Sequence, residues 1–329
     1  MVPDVSVIIV SYNAPEVLAT CLRSVVTQTR GCSIEIIVVD NASDADNVAR
    51  IEREFPSVVL VKNAANHGFA RACNQGLAVS AGSFLLLLNP DTELRDDAIS
   101  TTVSFLRGKP EAGVAVCRLV NSDGSFQRSV GVFPNLPQSL LSAFSLTSLL
   151  PNDLLVGPTT CARFDGTVSA PIDWASGAFM LFRREALDII GGLDEQFFMY
   201  SEDTDFCYRA HRAGLGVWYV AETTVVHHWG GMNSISRRGM LWLHASQLLF
   251  LKKYYPWSCR WPLTVLKYVA LLVRAPMYLL TGAVTGNPRL LEKSWYVVYV
   301  AARLLVTPWR YERGMTGPSR AWTEVWRSE

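Results

Sequence analysis

Apolar runs recur through the first 120 residues and alternate with stretches of helical spacing. Val5–Val10 reads as a buried strand, and Pro15–Thr27 follows as a helix with Pro15 in its first turn. The alternation continues with a strand over Ile34–Val39, a helix over about Asp44–Phe55, a strand over Val58–Val61 and a helix over about Phe69–Ser80. Phe84–Leu88 is the fourth strand, a helix runs over about Asp96–Arg107, and Val114–Leu119 is the fifth strand. Strands that are apolar on both faces, each followed by a helix, predict a mostly parallel sheet covered on both sides.

The pattern weakens over 121–170, where Pro134, Pro137, Pro151 and Pro158 punctuate Ser- and Leu-rich sequence. It returns at Asp173–Arg183, within which Trp174–Leu181 reads as one strand. A helix is expected from Glu202 to about Ala213, stopped by Gly214, and strands over Val217–Val226 lead into His227-His228. Beyond Arg237 the character changes. Gly239–Tyr255 predicts a helix, and Trp261–Thr281 and Ser294–Val306 are apolar. Neither is expected to be a clean membrane span, because Lys267, Arg274 and Pro276 interrupt the first and Arg303 the short second. Charges interleaved with Trp, Tyr and Leu fit helices that lie in a membrane interface.

Composition sharpens this division. The chain has 329 residues, half of them hydrophobic, which allows one large α/β domain plus an appendage and excludes global disorder. Residues 1–236 hold 16 Lys and Arg against 25 Asp and Glu, a formal −9. Residues 237–313 hold 12 against 2, a formal +10. The expected organisation is a catalytic domain at 1–236, with a nucleotide half to about 120 and an acceptor half after it. A basic, apolar helical region at 237–313 and a polar tail at 314–329 follow. The acidic part suits a bound cation and offers no basic face to nucleic acid. Seven scattered cysteines, an odd number without a Cys-x-x-Cys pair, read as reduced core thiols. The start of the chain lacks the basic and apolar regions of a secretory signal, which points to work in the cytosol.

Ligands of such sheets bind beyond the carboxyl ends of the strands. There stand Ser11-Tyr12-Asn13, Asp40-Asn41, Lys62-Asn63 and Asn89-Pro90-Asp91. Neither a Gly-x-Gly-x-x-Gly fingerprint nor a Gly-x-x-x-x-Gly-Lys-[Ser/Thr] phosphate loop is present, so a nucleotide would bind by another arrangement. Asp91 at a strand exit, Glu202-Asp203 at a helix start and His227-His228 after a strand offer oxygen and imidazole ligands for Mg²⁺ or Mn²⁺, and a carboxylate for proton transfer.

The series Val-Ser-Tyr-Asn (10–13), Val-Asp-Asn-Ala-Ser (39–43), Asn-His-Gly-Phe-Ala-Arg-Ala-Cys-Asn-Gln-Gly (66–76) and Leu-Asn-Pro-Asp-Thr (88–92) resembles family 2 glycosyltransferases. Ser-Gly-Ala-Phe-Met-Leu (176–181), Glu-Asp-Thr-Asp-Phe-Cys-Tyr-Arg (202–209) and His-His-Trp-Gly-Gly (227–231) extend the likeness, in particular to the rhamnosyltransferase-like branch, over about residues 4–235. The resemblance implies a GT-A fold and inversion at the sugar by direct displacement. Asn89-Pro90-Asp91 takes the place of the family's Asp-x-Asp metal motif and keeps only its last carboxylate, which makes Asp91 the principal metal ligand and leaves Asn89 a donor-side contact. His227 or His228 would complete the metal shell. Asp40 would bind the base, Ser11, Tyr12 and Asn13 would line the nucleotide pocket, and Arg71 would balance diphosphate charge. Asp203 would be the general base, with Trp174, Ser176, Gly177 and Glu202 on the acceptor side. The implied donor is a nucleotide-diphosphate sugar, dTDP-L-rhamnose before UDP- or GDP-sugars. The implied acceptor is a lipid-linked glycan at the cytoplasmic face of a bacterial plasma membrane.

Taken singly, each residue also has a structural reading. Asp40 can cap the following helix, Asp91 can serve the turn after Pro90, and Glu202 and Asp203 suit the positive end of a helix. Trp174 and the histidines can be core residues, and Arg71 a solvated helix residue. A nucleotidyltransferase would want a basic Gly-rich loop where Ser-Tyr-Asn-Ala-Pro stands (11–15). A catalytically inactive carbohydrate- or membrane-binding protein on the same fold is the remaining alternative.

Overall fold

The computed structural model describes residues 2–144, 164–228 and 237–306. The apolar runs fold in the expected order: β1 (Val5–Ser11), α1 (Pro15–Gln28), β2 (Ile34–Asp40), α2 (Ala45–Glu54), β3 (Val59–Lys62), α3 (Phe69–Val79) and β4 (Phe84–Leu88). After β4 come a short β5 (Thr92–Leu94), α4 (Ala98–Arg107), β6 (Ala112–Val120), β7 (Val130–Gly131) and α5 (Leu136–Ala143). Next are β8 (Ala170–Pro171), β9 (Trp174–Ala175), β10 (Phe179–Arg183), α6 (Arg184–Ile190), α7 (Glu202–Arg212) and β11 (Gly216–His227). Three long helices follow: α8 (Arg237–Tyr254), α9 (Trp257–Thr285) and α10 (Pro288–Val306).

Two compact units result. The described residues of 1–133 and 164–234 form one, and those of 134–163 and 235–329 the other. Residues 134–144, placed by the sequence in an acceptor half, thus group with the C-terminal helices, and α5 packs on α9.

The first unit is a sheet in the order β3-β2-β1-β4-β10-β6-β11-β5, with β8 on β11. Pairing is parallel from β3 to β4, whereas β10 runs antiparallel to both β4 and β6. It is a GT-A-type sheet, parallel on one side and mixed on the other. The alternation of side chains along β1 explains its two faces. Val5, Val7 and Ile9 meet Leu18, Leu22 and Val25 of α1 and Ile99, Val103 and Leu106 of α4 in one core cluster. Ile8 and Val10 join Ala70, Cys73 and Leu77 of α3 and Phe206 and Ala210 of α7 in the other. Gly76 is needed where α3 crosses β1, since a Cβ there would lie 2.5 Å from Ile8 Cγ2.

Two sequence expectations are corrected here. Trp174–Leu181 is not one strand, because Ser176-Gly177-Ala178 breaks it: β9 pairs with β7, while β10 enters the main sheet. The Thr92–Leu94 strand was not expected at all; three residues carry no periodicity, and pairing with β11 creates it.

In the second unit, Leu241, Leu271, Ala275, Val297, Val300 and Ala301 form a small core. Ser294 Oγ donates to Ala275 O at 2.8 Å, tying α10 to α9. The chain turns between them at Gly286, in the left-handed region with φ +65°. α9 runs unbroken through Lys267, Arg274 and Pro276 and, among the described residues, is the one helix long and apolar enough to cross a membrane. That revises the expectation for its apolar stretch, which rested on those interruptions.

Candidate active site

The chain leaves β4 as Asn89-Pro90-Asp91 and at once forms β5, whose Thr92 is the register partner of His227 at the end of β11. The pairing of β11 with β6 is irregular between Val220 and Thr224 and resumes over Thr224–Val226, where β5 lies on the other edge of β11. The irregularity is pinned by Thr223 Oγ1 donating to Asp96. The outcome is that His227 Nε2 stands 3.2 Å from Asp91 Oδ1, both largely buried, with Asn89 Nδ2 3.5 Å from the same nitrogen. His228 goes elsewhere: its Nε2 lies 2.9 Å from Glu93 Oε2 and its Nδ1 3.0 Å from Ser122 Oγ. The two histidines, interchangeable in the sequence, are therefore distinct in space.

An ionised carboxylate has only lone pairs to offer, and so does the unprotonated nitrogen of a neutral imidazole. Their 3.2 Å approach fits a shared cation. Oxygen plus imidazole suits Mg²⁺ or Mn²⁺. Among the described residues no three His, Cys, Asp or Glu side chains cluster as a metal cage. The remaining ligands would come from water and a substrate, as is usual for a cation that bridges phosphates.

The second part of the site is the start of α7. Tyr200 and Ser201 both have positive φ, +69° and +65°, an unusual pair of left-handed non-glycine residues directly before Glu202-Asp203. Asp203 Oδ2 accepts from Gly177 N at 3.1 Å, and its Oδ1 accepts from Thr204 N at 2.6 Å. The same Ser176-Gly177-Ala178 segment reaches the first part, since Asn89 N donates to Ala178 O at 3.0 Å. Asp203 and the Asp91 loop are thus tied to one turn. Burial raises the pKa of Asp203 against the lowering effect of those hydrogen bonds. Glu202 is buried, its Oε2 has no hydrogen-bond partner among the described residues, and burial followed by the neighbouring Asp203 charge pushes its carboxyl well above the usual range.

The third part lies at the ends of β1 and β2. Ser11, Asp40, Ser43 and Asn47 line a small gap between α1 and α2 whose floor is apolar, with Leu18, Val48 and Ile51. Asp40 is buried and accepts from Ser43 N at 3.0 Å, two residues before α2 begins, so it shapes the loop and does not cap the helix as the sequence also allowed. Asn13, at φ +49°, accepts from Asp44 N at 2.8 Å, while Tyr12 is exposed. Asn41 organises the neighbouring loop, accepting from His67 N at 3.0 Å and donating to Gly68 O at 3.3 Å. Gly68 has φ +84°, and a Cβ on it would fall 2.5 Å from Phe198 O.

Two predicted residues sit differently. Arg71 reaches Glu195 at 3.9 Å, and Trp174 is packed on Gly131 with its Nε1 donating to Val132 O at 2.9 Å. Gln127 escaped the sequence reading, yet its Oε1 lies 2.6 Å from His227 Nδ1. A single Gln in a weakly patterned stretch carries no signal of its own.

The profile of Glycosyl transferase family 2 matches residues 6–190. The O-antigen biosynthesis protein RfbC of Myxococcus xanthus is 29% identical over 78% of this chain, although the aligned part spans only 19% of that protein. The N-acetylglucosaminyl-diphospho-decaprenol L-rhamnosyltransferase of Mycobacterium tuberculosis is 29% identical over 68% of this chain and 75% of its own length. Among solved structures, a mannosyltransferase from Pyrobaculum calidifontis in complex with GDP-Man and Mn²⁺ aligns with a TM-score of 0.55 at 17% identity, over 93% of this chain and 88% of that one. That likeness concerns the fold alone.

Proposed function

The chain belongs to glycosyl transferase family 2, and from there we propose that it moves L-rhamnose from dTDP-L-rhamnose to a lipid-linked glycan, with inversion at the sugar. It is a glycosyltransferase; the donor, acceptor and residue roles are the proposal. The observation that carries it is the Asp91–His227 pair, 3.2 Å apart and joined through the Ser176–Ala178 turn to Asp203. Relatives named for L-rhamnosyl transfer and O-antigen biosynthesis support the choice of sugar and of a cell-envelope acceptor.

In this reading Asp91 and His227 would hold Mg²⁺ or Mn²⁺, which supplies compensation for charge on the leaving diphosphate. Asp203 takes the proton of the acceptor hydroxyl as its oxygen attacks the anomeric carbon from the face opposite the diphosphate. Desolvation suits Asp203 to this, because a carboxyl above its ordinary range is a stronger base. Glu202, held protonated, leaves Asp203 as the one charged member of the pair. Asp40 and Ser11 bind the base and ribose end beyond the carboxyl ends of β1 and β2, with Tyr12 and Asn13 beside them. The basic C-terminal helices hold the chain on the cytoplasmic membrane surface beside its acceptor.

The test is donor binding and hydrolysis across dTDP-, UDP- and GDP-sugars with Mn²⁺, with Mg²⁺ and with chelator. Metal-dependent selection of dTDP-L-rhamnose is expected. Selection of another donor overturns the sugar. Indifference to all donors with metal present overturns catalysis in favour of a binding protein.

A further inference from the structure

We propose that Gln127 is the positioning residue of the cation site: it fixes the tautomer of His227 so that a bare Nε2 lone pair faces Asp91. The inference rests on the reading of Asp91 and His227 as the metal-holding pair.

With Asp123 ionised, the donors and acceptors that lead to the His227 ring can be arranged in only one way. Asp123 when ionised can only accept, and Ser125 Oγ lies 2.6 Å from its Oδ1, so the Ser125 hydroxyl proton is spent there. Ser125 Oγ must then accept from Asn121 Nδ2, 2.9 Å away. Asn121 consequently turns its Oδ1 to Gln127 Nε2 at 2.8 Å. The same Nε2 faces the carbonyl oxygen of His227 at 3.4 Å, and a backbone carbonyl can only accept. Rotating the Gln127 amide by half a turn would set two pairs of oxygens against each other. With Nε2 committed twice, Oε1 is left for His227 Nδ1 at 2.6 Å, and an amide oxygen cannot donate. His227 Nδ1 therefore carries a proton, and in the neutral ring that leaves Nε2 with its lone pair.

A relay of fixed direction thus runs from Asp123 through Ser125, Asn121 and Gln127 to the ring of His227, whose other nitrogen stands 3.2 Å from Asp91 Oδ1. It lies within the hairpin-like turn closed by Asn121 N donating to Ser125 O at 2.9 Å and Gln127 N donating to Leu119 O at 2.9 Å. Both His227 and Gln127 are buried, so water does not offer the ring an alternative partner. A histidine ligand whose second nitrogen donates to an oriented acceptor is held in tautomer and ring angle, and losing such a partner costs about 10–100-fold in metal affinity.

The experiment titrates the full chain with Mn²⁺ by electron paramagnetic resonance in the presence of dTDP, for wild type and Gln127→Leu. Leu keeps about the same volume and removes the acceptor at Nδ1. Binding is expected to weaken about 10–100-fold in Gln127→Leu. Equal affinity in the two proteins overturns the inference. Independently of any variant, ¹⁵N spectra of histidine-labelled wild type with Mg²⁺ and dTDP should show His227 protonated at Nδ1 and bare at Nε2. The opposite tautomer overturns it even if Gln127→Leu does not fold. Wild type that binds no Mn²⁺ fails the metal reading itself, a result separable from either of these.

Discussion

The backbone N–H of Gly177 donates to Asp203 Oδ2 at 3.1 Å, and the next residue, Ala178, accepts from Asn89 N at 3.0 Å. A break in one apolar run thereby holds the carboxylate of α7 and the Asn89-Pro90-Asp91 loop at a fixed spacing. Both oxygens of Asp203 accept, from Gly177 N, Thr204 N and Thr204 Oγ1, so an Asn there keeps the size of the side chain and gives up the bonds of one oxygen.

Asp203→Asn should therefore remove the base and leave the pocket. The turnover number is expected to fall about 10²–10⁴-fold, while the donor dissociation constant stays the same. In wild type the acid limb of kcat/KM should lie above the ordinary aspartate value of 3.8, because burial raises this carboxyl and only its ionised form accepts a proton. Activity then rises with pH through that limb. Stopped assays of the variant and a pH–rate profile of wild type check both; normal turnover in Asp203→Asn removes the assignment.

Glu202 makes the opposite kind of prediction, about stability. Its folded carboxyl is pushed well above the ordinary 4.5 by burial and then by Asp203. The folded state thus holds a proton that the unfolded chain releases from about pH 4.5 upwards, so stability from this group is complete below that pH and is lost as pH rises toward the folded value. Glu202→Gln abolishes the dependence. The melting temperatures of variant and wild type should be close at pH 4 and separate at pH 8 by about 2–4 °C for each kcal/mol of difference, the variant being higher. Calorimetry across that range decides it; parallel curves would mean an ionised Glu202.

The metal pair separates the two histidines. Asp91→Ala and His227→Ala should each abolish the difference between Mn²⁺ and chelator in donor hydrolysis. His228→Ala removes only a partly exposed contact with Glu93 and should change Mn²⁺ affinity by no more than about 5-fold, since exposed pairs contribute about 0–1 kcal/mol. Metal titration of the three variants is the measurement. A loss confined to His228→Ala would reverse the assignment.

How much of this was legible beforehand follows from the range of each interaction. The strands β1, β2 and β4 and their helices announce themselves because both faces are buried, and that burial is written locally as apolar runs. Asp40 and Asp91 were visible as strand-exit residues for the same reason. The distinction between His227 and His228 was not, because it depends on register with Thr92, 135 positions away in the chain. Gln127 was invisible for a related reason: its partner at 2.6 Å lies 100 residues further on. The break at Ser176–Ala178 was marked by Gly177, which weakens a strand interior, but the apolar residues on either side masked it.

Gly68 tests the loop that the asparagines build. Its φ of +84° and the 2.5 Å approach of a would-be Cβ to Phe198 O act together. The neighbouring residue is held too, with Phe69 N donating to Phe198 O at 2.8 Å. Gly68→Ala should cost about 2–4 kcal/mol, combining a left-handed non-glycine residue with a backbone overlap. Chemical denaturation reads this directly, and a change below about 0.5 kcal/mol, the scale of a neutral surface substitution, would refute the conformation.

The membrane reading can be tested within the full chain. Trp257 and Trp261 are both more than half exposed, one turn apart on α9, with ring centroids 6.1 Å apart and nearly parallel. Leu272, Leu280 and Val284 extend the exposed apolar surface along the same helix, and Trp295 and Val298 add to it from α10. Basic residues stand among them, at Arg260 and Lys293, in a region with a formal +10 over 237–313. An apolar face with indole rings and basic flanks binds an interface by area and by charge together. The double variant Trp257→Ala, Trp261→Ala leaves the charge intact and removes area, at about 25 cal/mol per Å². It should weaken binding to anionic vesicles by on the order of 10-fold or more. Salt should weaken wild type further, because the Debye length shrinks from about 10 Å at 0.1 M to about 3 Å at 1 M. Flotation with anionic and neutral vesicles at both salt concentrations separates the two contributions. Binding unmoved by the tryptophan substitutions and by salt would show that neither holds the chain to lipid, whereas a wild type that binds no vesicles would make the C-terminal helices a soluble subdomain.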